Sequence, residues 1–142
     1  MNEFETKILD VLSDHFSHPE IYHRLEFIPE FAFGFEGWFQ IETIIALIDS
    51  EVYASTLAKS AYDSDIVTHD GNKDVGIELR CWTPNLPGNT LINALTDHPN
   101  ADLYLFLFRN YNDKLSELNN QLVNRESKYK QINSDWILML VK

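Results

Sequence analysis

The chain has a single cysteine, Cys81, so an internal disulfide is excluded, and the composition fits a reducing compartment. No apolar run reaches the roughly 18–20 residues of a membrane-spanning helix. The start, MNEFETKILD, is acidic and amphipathic, which argues against a secretory signal and predicts a cytoplasmic protein without a membrane partner. Cations are scarce, with 11 Lys and Arg against 22 Asp and Glu, a formal net charge of −11. That balance excludes the broad basic stripe with which most nucleic-acid binders displace counterions. The densest cationic group, Arg125, Lys128 and Lys130, is interrupted by Glu126. An acidic surface suits a protein partner with a basic face, or simply solubility. Also missing are a GxSxG elbow, a P-loop, a GxGxxG turn, internal repeats and low-complexity tracts.

What is present is enough to fold. A length of 142 residues predicts one domain spanning 1–142, and 44% hydrophobic and 13% aromatic content supplies a core. Phe4, Ile8, Val11, Leu12 and Phe16 recur at helical spacing over 3–16, and the pattern stops at Ser17-His18-Pro19. An aromatic-rich connection runs from Phe27 to Phe35. A second helix starts at Gly37, with Trp38, Ile41, Ile45 and Ile48 as its expected apolar stripe and Ile44 alongside. Val52–Ala61 fits a strand or a helix. Asp65–His69 and Val75–Trp82 read as a hairpin, and 84–89 as a loop before a short helical turn at Leu91–Leu95. ADLYLFLFR (101–109) is apolar on both faces, as a doubly covered central strand should be. Leu115, Leu118 and Leu122 predict a third helix over 112–126, and WILMLV (136–141) a closing strand. The class is α/β, a mixed sheet flanked by helices.

The hairpin carries the chemistry. A symmetric turn centred between Gly71 and Asn72 pairs residues whose numbers sum to 143, so Asp65 faces Glu78, Asp63 faces Arg80 and His69 faces Asp74. Val75, Ile77, Leu79 and Cys81 then share an apolar face, while Glu78, Arg80 and Trp82 point to the other. Opposed carboxylates, with Cβ atoms roughly 4.5–5.5 Å apart, repel unless a cation compensates. A hard divalent ion such as Mg²⁺ or Mn²⁺ does so. So does Arg80, on the same face as Glu78 and diagonal to Asp65. Glu42 is the other anomaly: a carboxylate inside the most apolar helix, four residues after Trp38 and therefore on its side.

GWFQIETIIAL, SDIVTHDGNKDVGIELR and ADLYLFLF, in that order, resemble the core of the PD-(D/E)xK superfamily, which has the restriction-endonuclease-like fold. The resemblance covers roughly residues 35–109. It implies that Glu42, Asp65 and Glu78 match the metal-binding acids of that superfamily, with Arg80 at the position of its lysine. Twelve residues separate Asp65 from Glu78, as is common there. The implied function is Mg²⁺- or Mn²⁺-dependent phosphodiester hydrolysis on nucleic acid, with Glu42, Asp65, Glu78 and Arg80 as the catalytic set and the three acids as metal ligands.

The sequence departs from the pattern at two positions. Ser64 stands where the superfamily name has proline. Arg80 stands where a lysine would position the attacking water, and arginine grips phosphate but cannot serve as a base. An alternative function follows: a catalytically silent, acidic relative that binds a basic protein, as an immunity-like, regulatory or mobile-element accessory module. His15, His18, His23, His69 and His98 form no metal-ligand spacing with Cys81 and read as surface or boundary residues. Phe31, Phe33, Phe35, Trp38 and Phe39 lack interleaved cations and read as core, as does Cys81.

Overall fold

The computed structural model describes residues 1–27, 35–56 and 64–142. Helix α1 (Glu3–Ser17) begins at a capping box. The Glu5 N–H donates to Asn2 Oδ1 at 2.8 Å, and the Asn2 N–H donates to Glu5 Oε2 at 3.0 Å. Ile8, Leu9, Leu12 and Phe16 form its buried stripe. The helix stops at His18, which is extended because proline follows. Pro19 then opens a helix over residues that the sequence pattern leaves unassigned, α2 (Pro19–Phe27). Proline suits this first position because its fixed φ is already helical and its missing N–H would have had no partner.

Helix α3 (Glu36–Asp49) lies close to its expected bounds but is rotated from its expected register. Phe39, Glu42, Thr43, Ala46 and Leu47 are buried, whereas Ile41, Ile45 and Ile48 are 58%, 42% and 53% exposed. The isoleucines are spaced as well as the buried set, and periodicity alone does not say which side meets the sheet. The helix ends in a Schellman motif. Glu51, at φ 62°, donates its N–H to Ile48 O at 2.9 Å, and the Val52 N–H reaches Leu47 O at 2.8 Å.

The ambiguous segment Val52–Ala61 contributes a short edge strand, β1 (Ala54–Ser55); its later part, and Asp63 with its expected pairing to Arg80, lie outside the described residues. Strands β2 (Ile66–His69) and β3 (Asp74–Trp82) form the expected hairpin in the expected register, with Ile66 opposite Ile77 and His69 opposite Asp74. Gly71 takes φ +99° at the turn, and Asp70 Oδ1 accepts the N–H groups of Asn72 and Lys73 at 2.8 and 2.9 Å. Helix α4 (Thr90–Asp97) carries the chain across to β4 (Leu103–Arg109), which pairs with β3 in parallel.

A 3₁₀ turn (Tyr111–Asp113) follows, and the third predicted helix is cut to α5 (Lys114–Gln121). Asn112 and Asp113, at φ 49° and 58°, cannot join a right-handed helix, so it starts two residues later than its leucines suggest. Lys114 is buried at that start: its ammonium bonds Gly88 O, approaches Glu117 Oε1 to 3.2 Å and lies 4.4 Å above the Trp82 ring. Strand β5 (Ser127–Ile132) was not anticipated, because SKYKQI is polar on both faces, and β6 (Trp136–Val141) was. The mixed six-stranded sheet runs β1-β2-β3-β4-β6-β5.

Two apolar layers sandwich this sheet. Ile66, Ile77, Leu79, Leu105 and Leu138 pack with α1, α2 and α3 on one face. Tyr104, Phe106, Phe108, Ile137 and Met139 pack with α4 and α5 on the other. Every residue of β4 before Arg109 is buried. Among the described residues no helix is long and apolar enough to cross a membrane.

The rotation of α3 is directly measurable. Leu47→Ala should cost about 2–5 kcal/mol, as buried leucine truncations do, whereas Ile45→Ala should cost about 0.5 kcal/mol or less. Equal costs in urea denaturation would contradict the observed face.

Candidate functional site

Asp65 directly precedes β2, one step beyond the last hairpin pair, and so stands opposite Glu78. Its side chain takes over where the ladder ends: Asp65 Oδ2 accepts the Leu79 N–H at 3.0 Å. Its carbonyl accepts from Gln40 Nε2 of α3 at 2.8 Å, which ties helix, strand start and hairpin together. Glu78 sits mid-strand in β3, beside Tyr104 of β4, and is only 2% exposed.

Arg80, 16% exposed, extends back over the acids. Its Nη1 bonds Glu78 Oε1, donates to Leu79 O at 2.8 Å, and lies 3.9 Å from Asp65 Oδ2 and 4.0 Å from Glu36 Oε2. From the far side, His98 at the C-terminal cap of α4 brings Nε2 to 3.4 Å from Glu78 Oε1. The cluster is therefore Asp65, Glu78, Arg80, Glu36 and His98, buttressed by Gln40.

Three of the four expected site residues, Asp65, Glu78 and Arg80, come together. Glu42 does not join them: its carboxylate, buried between α1, α2 and α3, accepts from His15 Nε2 at 2.7 Å and from Arg24 Nη1 at 3.3 Å. The separation follows from helix geometry. Glu36 and Gln40, four residues apart, share the side of α3 that faces the hairpin, and Glu42 is turned about 200° from Gln40. Glu36 and His98 had not been read as site residues. The Glu36-x₃-Gln40 spacing is a usable signal; nothing local marks His98, which the α4 crossover delivers, and it is the half-buried boundary residue expected as well as a site neighbour. Cys81 is buried as expected, and burial pushes its thiol up to about 12, so it is inert.

The electrostatics are costly. Burial first, and the Asp65 carboxylate second, push Glu78 up to about 7 despite the opposing pull of Arg80 and His98. Burial also raises Glu36, against Arg80. A carboxylate held this far from its ordinary range beside a second acid is a common property of functional sites.

The donor set is chemically suited to a hard divalent cation, being carboxylate oxygen from Asp65 and Glu78 with Glu36 near by. Nη1 of Arg80 already lies against both acids, bonded to Glu78 Oε1 and 3.9 Å from Asp65 Oδ2. Among the described residues no group of three or more His, Cys, Asp or Glu side chains is disposed to hold a metal as it stands. Comparison with family models, curated proteins and solved structures finds no match.

A pH signature follows. Because folding raises the pKa of Glu78 from 4.5 to about 7, the native state binds more protons than the unfolded chain between those values. Its contribution to stability is therefore greatest below pH 4.5 and declines as pH rises through the window. Glu78→Gln should remove that decline, giving a variant that melts higher than the parent at pH 8 and loses this advantage at pH 5. Parallel melting curves across the range would refute the assignment.

Proposed function

We propose that this chain is a divergent member of the PD-(D/E)xK superfamily with the restriction-endonuclease-like fold, acting as a Mg²⁺- or Mn²⁺-dependent nuclease. The observation that carries the reading is the Glu78 carboxylate, 2% exposed and opposite Asp65 at the hairpin mouth, where burial and the second acid push it up to about 7. Burying one acid beside another costs stability unless a cation compensates, and a divalent ion would do so. The setting supports the reading too: a helix precedes the hairpin, Asp65 directly precedes β2, Glu78-x-Arg80 lies on β3, and an apolar strand follows.

In this reading Asp65 and Glu78 hold the ion, and Arg80 faces the scissile phosphate, which its guanidinium can grip through two N–H groups. When bound, such an ion would supply Lewis-acid polarisation of a phosphoryl oxygen and a more nucleophilic water. Gln40 fixes Asp65 through its carbonyl, and Leu79 N–H orients the carboxylate. Glu42 is assigned the His15–Arg24 staple instead of the ion.

One observation favours a second reading. Arg80 already neutralises Glu78, as in a relative that no longer hydrolyses phosphodiesters and works by binding a basic protein.

Calorimetric titration with Mn²⁺ at low ionic strength tests the first reading. Asp65→Asn should weaken binding more than tenfold, and Glu42→Gln should leave it within about twofold once the variant is shown to be folded. DNA and RNA cleavage that requires the ion and is lost in Asp65→Asn completes the case. Equal Mn²⁺ affinity in the Asp65→Asn variant and the parent would remove it, and a metal-independent basic partner recovered by pull-down would favour the second reading.

A further inference from the structure

The position of Arg80 raises a question that the nuclease reading leaves open, namely how an ion enters a pair of acids already occupied by a guanidinium. Resting on that reading, we propose that Arg80 is a built-in counter-cation. It keeps the Asp65–Glu78 pair closed to divalent ions until a phosphodiester draws the guanidinium outward, so that metal and nucleic acid bind with positive coupling.

The contacts set up this competition. A single nitrogen, Nη1, bonds Glu78 Oε1 and Leu79 O and lies within 3.9 Å of Asp65 Oδ2, so the positive charge is anchored inward against the two acids that would hold an ion. A divalent ion and a guanidinium cannot share that place, since like charges a few ångströms apart in a partly buried site repel strongly. Nor can arginine withdraw by losing its proton, as a lysine could; it keeps its charge at any accessible pH and makes room only by moving. A route outward exists. Glu36 Oε2 lies 4.0 Å from the same nitrogen, and its side chain is about half exposed, so it offers the departing guanidinium a partner nearer solvent. A phosphodiester at the mouth adds a planar, bidentate partner that the buried arrangement does not supply. Moving Arg80 to phosphate withdraws its charge from the two carboxylates, with His98 Nε2 remaining 3.4 Å from Glu78 Oε1, and a divalent ion would then supply the charge withdrawn. Each ligand thus removes an obstacle to the other, and the coupling is reciprocal because it is a free energy between two sites.

The test is a calorimetric cycle on the full chain, with Mn²⁺ as one probe and a phosphorothioate DNA oligonucleotide, which resists cleavage, as the other. In the parent protein the oligonucleotide should tighten Mn²⁺ at least tenfold, and Mn²⁺ should tighten the oligonucleotide by the same factor. Arg80→Gln, and Arg80→Met as a second neutral variant should the first fail to fold, should bind Mn²⁺ at least tenfold more tightly than the parent without the oligonucleotide. In either variant the tightening that the oligonucleotide adds should shrink by fivefold or more. The wild-type cycle needs no variant, and an oligonucleotide that leaves Mn²⁺ affinity unchanged overturns the proposal by itself. Variants that bind Mn²⁺ no better than the parent overturn it while leaving the metal site standing. Absence of Mn²⁺ binding in the parent and in a folded neutral variant, with or without oligonucleotide, removes the nuclease reading and the proposal together.

Discussion

The parallel pairing of β3 with β4, buried on both faces, is the constraint on which the rest of the structure depends. Parallel strands require a crossover, and here α4 supplies it, so the helix is committed to one face while α1, α2 and α3 cover the other. The apolar run of β4 can satisfy its backbone only between two partners, which is why β6 closes against it and β5 follows outside. Once β4 is central, β3 has a fixed direction, and the hairpin must present Glu78 and Arg80 to the α4 side. The acidic site is thus a consequence of strand order as much as of its own residues.

Costs are unevenly distributed over this frame. Most polar groups in the interior are well matched: Glu42 has His15 and Arg24, Lys114 has Gly88 O, Glu117 and the Trp82 ring. Such pairing is the normal way for a fold to bury charge without losing stability. At the hairpin mouth the matching is incomplete. Asp65, Glu78 and Glu36 surround one guanidinium, and Glu78 responds by holding its proton more tightly. Tolerating that imbalance where apolar side chains would have packed well is what separates this cluster from the Glu42 staple.

The hairpin register was legible because strand alternation and turn position constrain it jointly: a slip of one residue would have turned Val75, Ile77 and Leu79 away from the core. Glu42 was misleading for the opposite reason. Its helix has apolar residues on nearly every side, so two rotations bury comparable sets, and the one adopted exposes Ile41, Ile45 and Ile48. That choice swings Glu42 to α1 and α2 and brings Glu36 and Gln40 to the site. Polar β5 escaped notice because edge strands need not alternate, and α2 because nine residues with one buried leucine leave almost no periodic signal.

By itself the sequence determined the elements whose residues leave a single option: α1 with its stop before Pro19, the hairpin with its turn at Gly71, the doubly buried β4, and the opposition of Asp65 to Glu78. Local chemistry suffices there, because a proline stop, positive φ and two-residue alternation act over a few positions. Only the tertiary structure decided the rotation of α3, the arrival of His98 beside Glu78, and the lodging of Arg80 between the acids. Those depend on which of several nearly equivalent faces packs against the sheet, and on contacts between groups far apart in the chain.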